Sequence, residues 1–127
     1  MTDLAPYADA EQLLVTALAG FGRTGTVLPD DLRDLPLFVR VRRLGGTDDR
    51  VTDQARIAVE VFAPTRAAAW ETARLVQQRL ISGPTRVPGA GVIDRVRTEV
   101  GPQDLPYEDP RIRCVSATYL VSARRPA

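Results

Sequence analysis

Residues 37–62 read LFVRVRRLGGTDDRVTDQARIAVEVF, and how this stretch pairs decides the fold. Leu37, Val39 and Val41 fall on one side of an extended chain; Phe38, Arg40 and Arg42 fall on the other. The alternation returns from Arg56 to Phe62, with Ile57, Val59 and Val61 set against Arg56, Ala58, Glu60 and Phe62. Two strands of period two on either side of RRLGGTDDRVTDQ (42–54) predict a hairpin with a long connection.

The connection carries its own chemistry. Gly45 and Gly46 are followed by Asp48, Asp49 and Asp53, with Arg42, Arg43 and Arg50 among them. A phosphate cradle needs glycines that open a helix N-terminus, with Lys and Ser/Thr placed for phosphate and magnesium. Here a second strand follows, there is no Lys, and the aspartates repel phosphate. A calcium or magnesium loop would use the carboxylate oxygens, but EF-hand spacing and its closing Glu are missing. Solvated turn residues are the plainer reading, because Gly and Asp are ordinary turn formers. Neither a catalytic residue nor a cofactor or metal ligand is assigned.

Two helices stand on either side of the hairpin. In residues 8–20, ADAEQLLVTALAG, the residues Ala10, Leu13, Leu14, Ala17 and Leu18 recur on one face, and Gly20 and Gly22 stop the run. Residues 65–82 give the stronger pattern: Thr65 stands at the N-cap, and Ala69, Ala73, Val76 and Leu80 form an apolar stripe with Trp70 beside it as a core anchor. A short strand fits Thr24–Leu28, and DLRDLP fits a turn or a single helical turn. GPTRVPGAG and GPQDLPYEDP read as loops rich in breakers, Val92–Val100 as a strand between them, and Arg111–Ala123 as a long final strand. Both faces of that last strand are mixed in polarity, so cover on both sides is expected for part of its length. The predicted fold class is α+β: one domain over residues 1–127, with a mainly antiparallel sheet of four to five strands and two helices packed on one face.

Composition narrows the function. The chain has 127 residues, 44% of them hydrophobic, enough to bury a core without staples. A net charge of +1 gives no global field for nucleic acid or an anionic membrane. All 17 basic residues are Arg, which points to a GC-rich coding sequence rather than to an activity. The absence of His removes His-based triads and His metal sites, and the single Cys114 removes an intrachain disulfide and multi-thiolate zinc. Cys114 reads as a small buried hydrophobe. Asp30–Asp31 and Glu108–Asp109 are paired carboxylates, but sequence neighbours in loops rarely converge on one substrate. Arg40, Arg42 and Arg43 cluster on one strand and Arg111 and Arg113 begin the last, but aromatic platforms are few and acidic residues balance the charge, which favours ion pairs over a specific nucleic-acid surface. No apolar run spans a bilayer and no signal peptide opens the chain, so the host cytoplasm is the expected place of synthesis.

The order of elements resembles a known family. YADAEQLLVTAL leads to TGTVLPDDLRDLPLFVRVRRLGG, then to ARIAVEVFAPTR, AAAWETARLVQQRLIS and GPQDLPYEDPRIRCVSATYLVSARR. This resembles the tail terminator (tail completion) proteins of long-tailed bacteriophages and related phage-derived particles, over nearly the full chain. The resemblance implies a structural virion protein that forms a six-membered ring. The ring would cap the tail tube, end tube polymerisation and offer a surface for head–tail joining. Its partners would be itself, the tail tube protein and the head–tail connector, with no cofactor and no membrane. In such a ring the hairpin connection and PQDLPYEDPR would meet a neighbouring subunit or the tube. That makes Arg42, Arg43, Asp48, Asp49, Arg50, Asp53, Asp104, Tyr107, Arg111 and Arg113 the candidate interface residues. A head–tail connector or neck protein, and a small ligand-binding α+β domain of a bacterial host, are the alternatives.

Overall fold

The alternation in residues 37–62 becomes two long antiparallel strands, β2 (Phe38–Asp48) and β3 (Thr52–Ala63). The computed structural model describes residues 9–48 and 52–125, with the side chains of Asp48 and Thr52 outside that description. The expected long connection is mostly strand: pairing continues through Gly45–Arg56, Gly46–Ala55 and Thr47–Gln54 to Asp48–Asp53. A bulge between Arg43 and Gly45 makes this possible by taking Leu44 out of register. Gly46 is needed at its place. Its φ is 141°, and a Cβ there would lie 2.0 Å from the Gln54 carbonyl oxygen.

Ahead of the hairpin come α1 (Ala10–Leu18), a 3-10 turn at Ala19–Phe21, β1 (Arg23–Gly25) and a second 3-10 turn at Leu32–Asp34. Behind it follow α2 (Arg66–Ile81), β4 (Thr85–Val87), β5 (Gly91–Leu105) and β6 (Arg113–Arg124). The sheet order is β1-β2-β3-β6-β5-β4. Six strands replace the expected four to five, and the sheet is mixed, because β1 runs parallel to β2 while the other neighbours are antiparallel. The added strand, β4, is three residues inside GPTRVPGAG, too short to show a period and flanked by breakers. β5 also outruns its expected end. It crosses Gly101-Pro102 to reach Leu105, absorbing the irregularity in register shifts.

Both helices cover one face. Leu13, Leu14 and Leu18 of α1 and Ala69, Ala73, Val76 and Leu80 of α2 join one buried cluster with Val39, Val41, Ile57, Val59, Val61, Val115, Tyr119 and Val121. Each helix starts at a side-chain cap. Asp9 Oδ1 accepts from Gln12 N at 3.1 Å, and Thr65 Oγ1 accepts from Ala68 N at 3.2 Å.

The opposite face is covered at one end only. Leu32, Phe38, Phe62, Ile112 and Cys114 form a second cluster, joined by Leu28, Leu35 and Tyr107. Cys114 to Ala117 are therefore buried in succession, the two-sided cover expected for the last strand. Each fully buried Phe or Leu of these clusters contributes about 1.5–3 kcal/mol relative to exposure.

Candidate functional site

Chain direction sorts the candidate residues into two groups. β2 and β6 end, and β3 and β5 begin, at the hairpin end of the sheet; their other termini lie at the far end. β3 has 12 residues, so at ~3.3 Å per residue the two ends are roughly 35 Å apart. Arg42, Arg43, Asp48 and Asp53 belong to the hairpin half, whereas Asp104, Tyr107, Arg111 and Arg113 are at the far end. Asp49 and Arg50 lie outside the described residues.

At the hairpin end the bulge is locked by charge. The Arg43 guanidinium grips Asp53 with two hydrogen bonds, Nη2 to Oδ1 at 2.7 Å and Nη1 to Oδ2. The Arg43 backbone N–H donates to Glu11 Oε2 of α1 at 2.8 Å, and Arg43 Nε donates to the Gly45 carbonyl at 3.2 Å. One arginine thus ties α1, β2 and β3 together. Asp53 is 5% exposed, and its hydrogen bonds hold the Arg43 pKa above the ordinary arginine value. Its carboxylate is therefore occupied by arginine rather than open to a cation. On the helix-free face Arg40 holds Glu60 through two bonds, at 2.8 and 3.0 Å, and Arg42 Nε adds a third at 3.2 Å. Glu60 is buried there beneath two arginines, one of which also lies 5.6 Å from the Phe62 ring centroid.

At the far end a loop is folded around one carboxylate. Asp109 accepts from the Arg111 backbone N at 3.0 Å, from Arg111 Nε at 3.2 Å and from Arg33 Nε at 3.2 Å. The backbone N–H and guanidinium of Arg111 hold the Asp109 carboxyl below its ordinary value. Tyr107 stands edge-on to Phe62, ring centroids 5.4 Å apart, and anchors the loop to the second cluster. Asp104 accepts from Trp70 Nε1 at 3.0 Å and pairs with Arg66 at 3.2 Å. Trp70 is partly buried: it packs against the main cluster, as expected of a core anchor, while its ring lies beside Arg66 and Arg74 and its Nε1 ties α2 to β5.

This loop and the Leu32–Asp34 turn bound a cleft of about 760 Å³. Asp30, Asp34, Glu108 and Asp109 all line it, with Arg33 and Arg111. Asp30 of the first sequence pair thus lines the same cleft as Glu108 and Asp109, while Asp31 is held by Arg23. Nothing in the sequence signals this, because residues 30–34 and 108–109 are brought together by the second cluster and by the Arg33–Asp109 pair. The other missed feature is Arg95 and Arg97, which line a pocket of about 290 Å³ on the helix-free face at the hairpin end, with Gln54, Leu120 and Ser122. Their signal is the alternation of Arg95 and Arg97 along β5. Among the described residues, no cluster of three or more Cys, Asp or Glu is arranged to hold a metal ion. No described helix is long and apolar enough to cross a membrane.

Residues 6–127 match the profile of a family described as phage tail termination protein. The chain belongs to that family. Its members are structural components of the phage tail, which sets this chain in the virion tail. No curated protein matches the sequence. Among solved structures, a chain from the virion of a native gene transfer agent particle is similar, at 20% identity. The likeness covers 91% of this chain and 87% of that one, with a TM-score of 0.46.

Proposed function

We propose that this chain closes into a ring of six copies that caps the tail tube at its finished length, stops further addition of tube protein and presents a surface to the head-side connector. The ring forms in the host cytoplasm during assembly and remains in the virion. The observation that carries this reading is the match to the tail termination family across residues 6–127. The placement of candidate residues supports it. A ring joins unlike surfaces of successive subunits, and this chain keeps two different charged ends on one rigid sheet. A pairing of Asp48 and Asp49 with Arg111 or Arg113 would run between subunits: the Asp48 backbone stands at the hairpin end, and Arg111 and Arg113 stand at the far end of the sheet. Arg43 and Asp53 hold the hairpin from inside; Asp104 and Tyr107 hold the loop that bears Arg111.

Native mass spectrometry over a concentration series, with and without tail tube protein, tests the ring. A closed assembly of six copies is expected, alone or on the tube. Single copies under both conditions contradict it.

A further inference from the structure

Arginine is the only basic side chain, and nearly every described carboxylate near a strand is already held by one. Nine arginines close on carboxylates within the protomer. Arg95 and Arg97 do not: among the described residues neither has a hydrogen-bond, ion-pair or ring partner. The acids beside them on β5 are taken elsewhere. Asp94 is bound by Arg124 at 2.6 and 2.7 Å, and Glu99 by Arg56 at 3.0 Å. Arg95 opposes Ser122 and Arg97 opposes Leu120 on β6, so the two cations share one face and one pocket without an anion in it. Like charges set side by side on a sheet repel, which leaves this pocket short of a carboxylate.

The far end shows the converse. Asp30, Asp34 and Glu108 line the larger cleft, and among the described residues none of the three carboxylates has a partner. The two arginines of that cleft, Arg33 and Arg111, are both committed to Asp109, and Asp31 is committed to Arg23. The protomer thus carries an unanswered cationic pocket at one end of its sheet and an unanswered anionic cleft at the other.

We propose that the Arg95–Arg97 pocket of one protomer receives the Asp30, Asp34 and Glu108 rim of a second copy of this chain, and that this contact is a joint of the ring. The inference rests on the ring reading. The second copy is the occupant because it supplies both halves. Each protomer gives one patch and receives the other, so closure leaves neither charge unanswered. Such pairs fix register and partner choice, and they weaken with salt because screening acts over about 10 Å at 0.1 M.

Sedimentation velocity at low and high salt tests this with three variants: Arg95→Glu/Arg97→Glu, Asp30→Arg/Glu108→Arg, and the four changes combined. All four positions are exposed, and circular dichroism verifies folding. Each reversal alone is expected to raise the dissociation constant about tenfold or more, while the combined variant reassembles. If every variant forms rings like the parent, or if the combined variant fails to recover while folded, the contact is overturned and the ring reading stands. A parent chain that forms only a charge-sensitive dimer keeps the contact and overturns the ring. Failure of the parent to associate at all overturns both.

Discussion

Asp53 is 5% exposed, and Arg43 meets its carboxylate with two hydrogen bonds. Asp53→Ala leaves Arg43 at the bulge without its partner. Since Arg43 is itself partly solvated, a loss of about 1–3 kcal/mol is expected in urea denaturation. Tyr119 is the reverse case. Its hydroxyl is buried and has no hydrogen-bond partner among the described residues. Tyr119→Phe should leave stability unchanged or raise it by up to about 1 kcal/mol, and a clear loss in the same assay would show that the hydroxyl has a partner. Burial pushes the Cys114 thiol up to about 11 from 9.0 and pushes the Tyr119 hydroxyl up as well. A folded pKa above the unfolded one gives stability that is full below the unfolded value and lost as pH rises through the folded one. The denaturation midpoint should therefore hold below pH 9 and fall from pH 9 towards 11. Cys114→Ala should remove part of that fall. Asp109 behaves oppositely. Its carboxyl should titrate below 3.8 in an NMR titration, and the contribution of its loop is lost only as pH falls through that lowered value.

Legibility in the sequence differed from element to element for physical reasons. The second helix was readable because Thr65 caps it and an alanine-rich stripe repeats at helical spacing; both are local signals. The strands of the hairpin were readable as far as their alternation stayed in phase. The bulge at Leu44 breaks the phase, so residues 45–48 and 52–55 read as loop while their backbones pair. β5 was cut short at Gly101-Pro102 for the same reason, and β4 has no period to find in three residues. The candidate surfaces were legible as charged, glycine- and proline-rich segments. That Arg43 and Asp53 answer each other, and that Asp30 and Asp34 line one cleft with Glu108, depends on packing across the fold and leaves no local trace. The hairpin carries two predictions. Gly46→Ala places a Cβ against the Gln54 carbonyl and should cost about 1–3 kcal/mol, read as a lower melting temperature. Asp48→Ala with Asp49→Ala should leave the melting temperature in place but weaken ring formation in native mass spectrometry; unchanged assembly would leave the hairpin tip a solvated turn.

At the scale of the whole molecule, one sheet is covered by two helices on one face and by a small cluster at one end of the other. Nine of its arginines close on carboxylates within the protomer; among the described residues, Arg95 and Arg97 share a pocket without a carboxylate, and Asp30, Asp34 and Glu108 line a cleft without partners of their own. The proposed ring joint uses that difference between the two ends, and membership of the tail termination family places the chain in the tail. In the proposed function the assembled chain ends tube growth. The most direct measurement is the length distribution of tail tubes, seen by electron microscopy, when tube protein polymerises with and without this chain. Shorter tubes, each closed at one end by a ring, are the predicted result. Tubes of unchanged length with no added density at either end would contradict it.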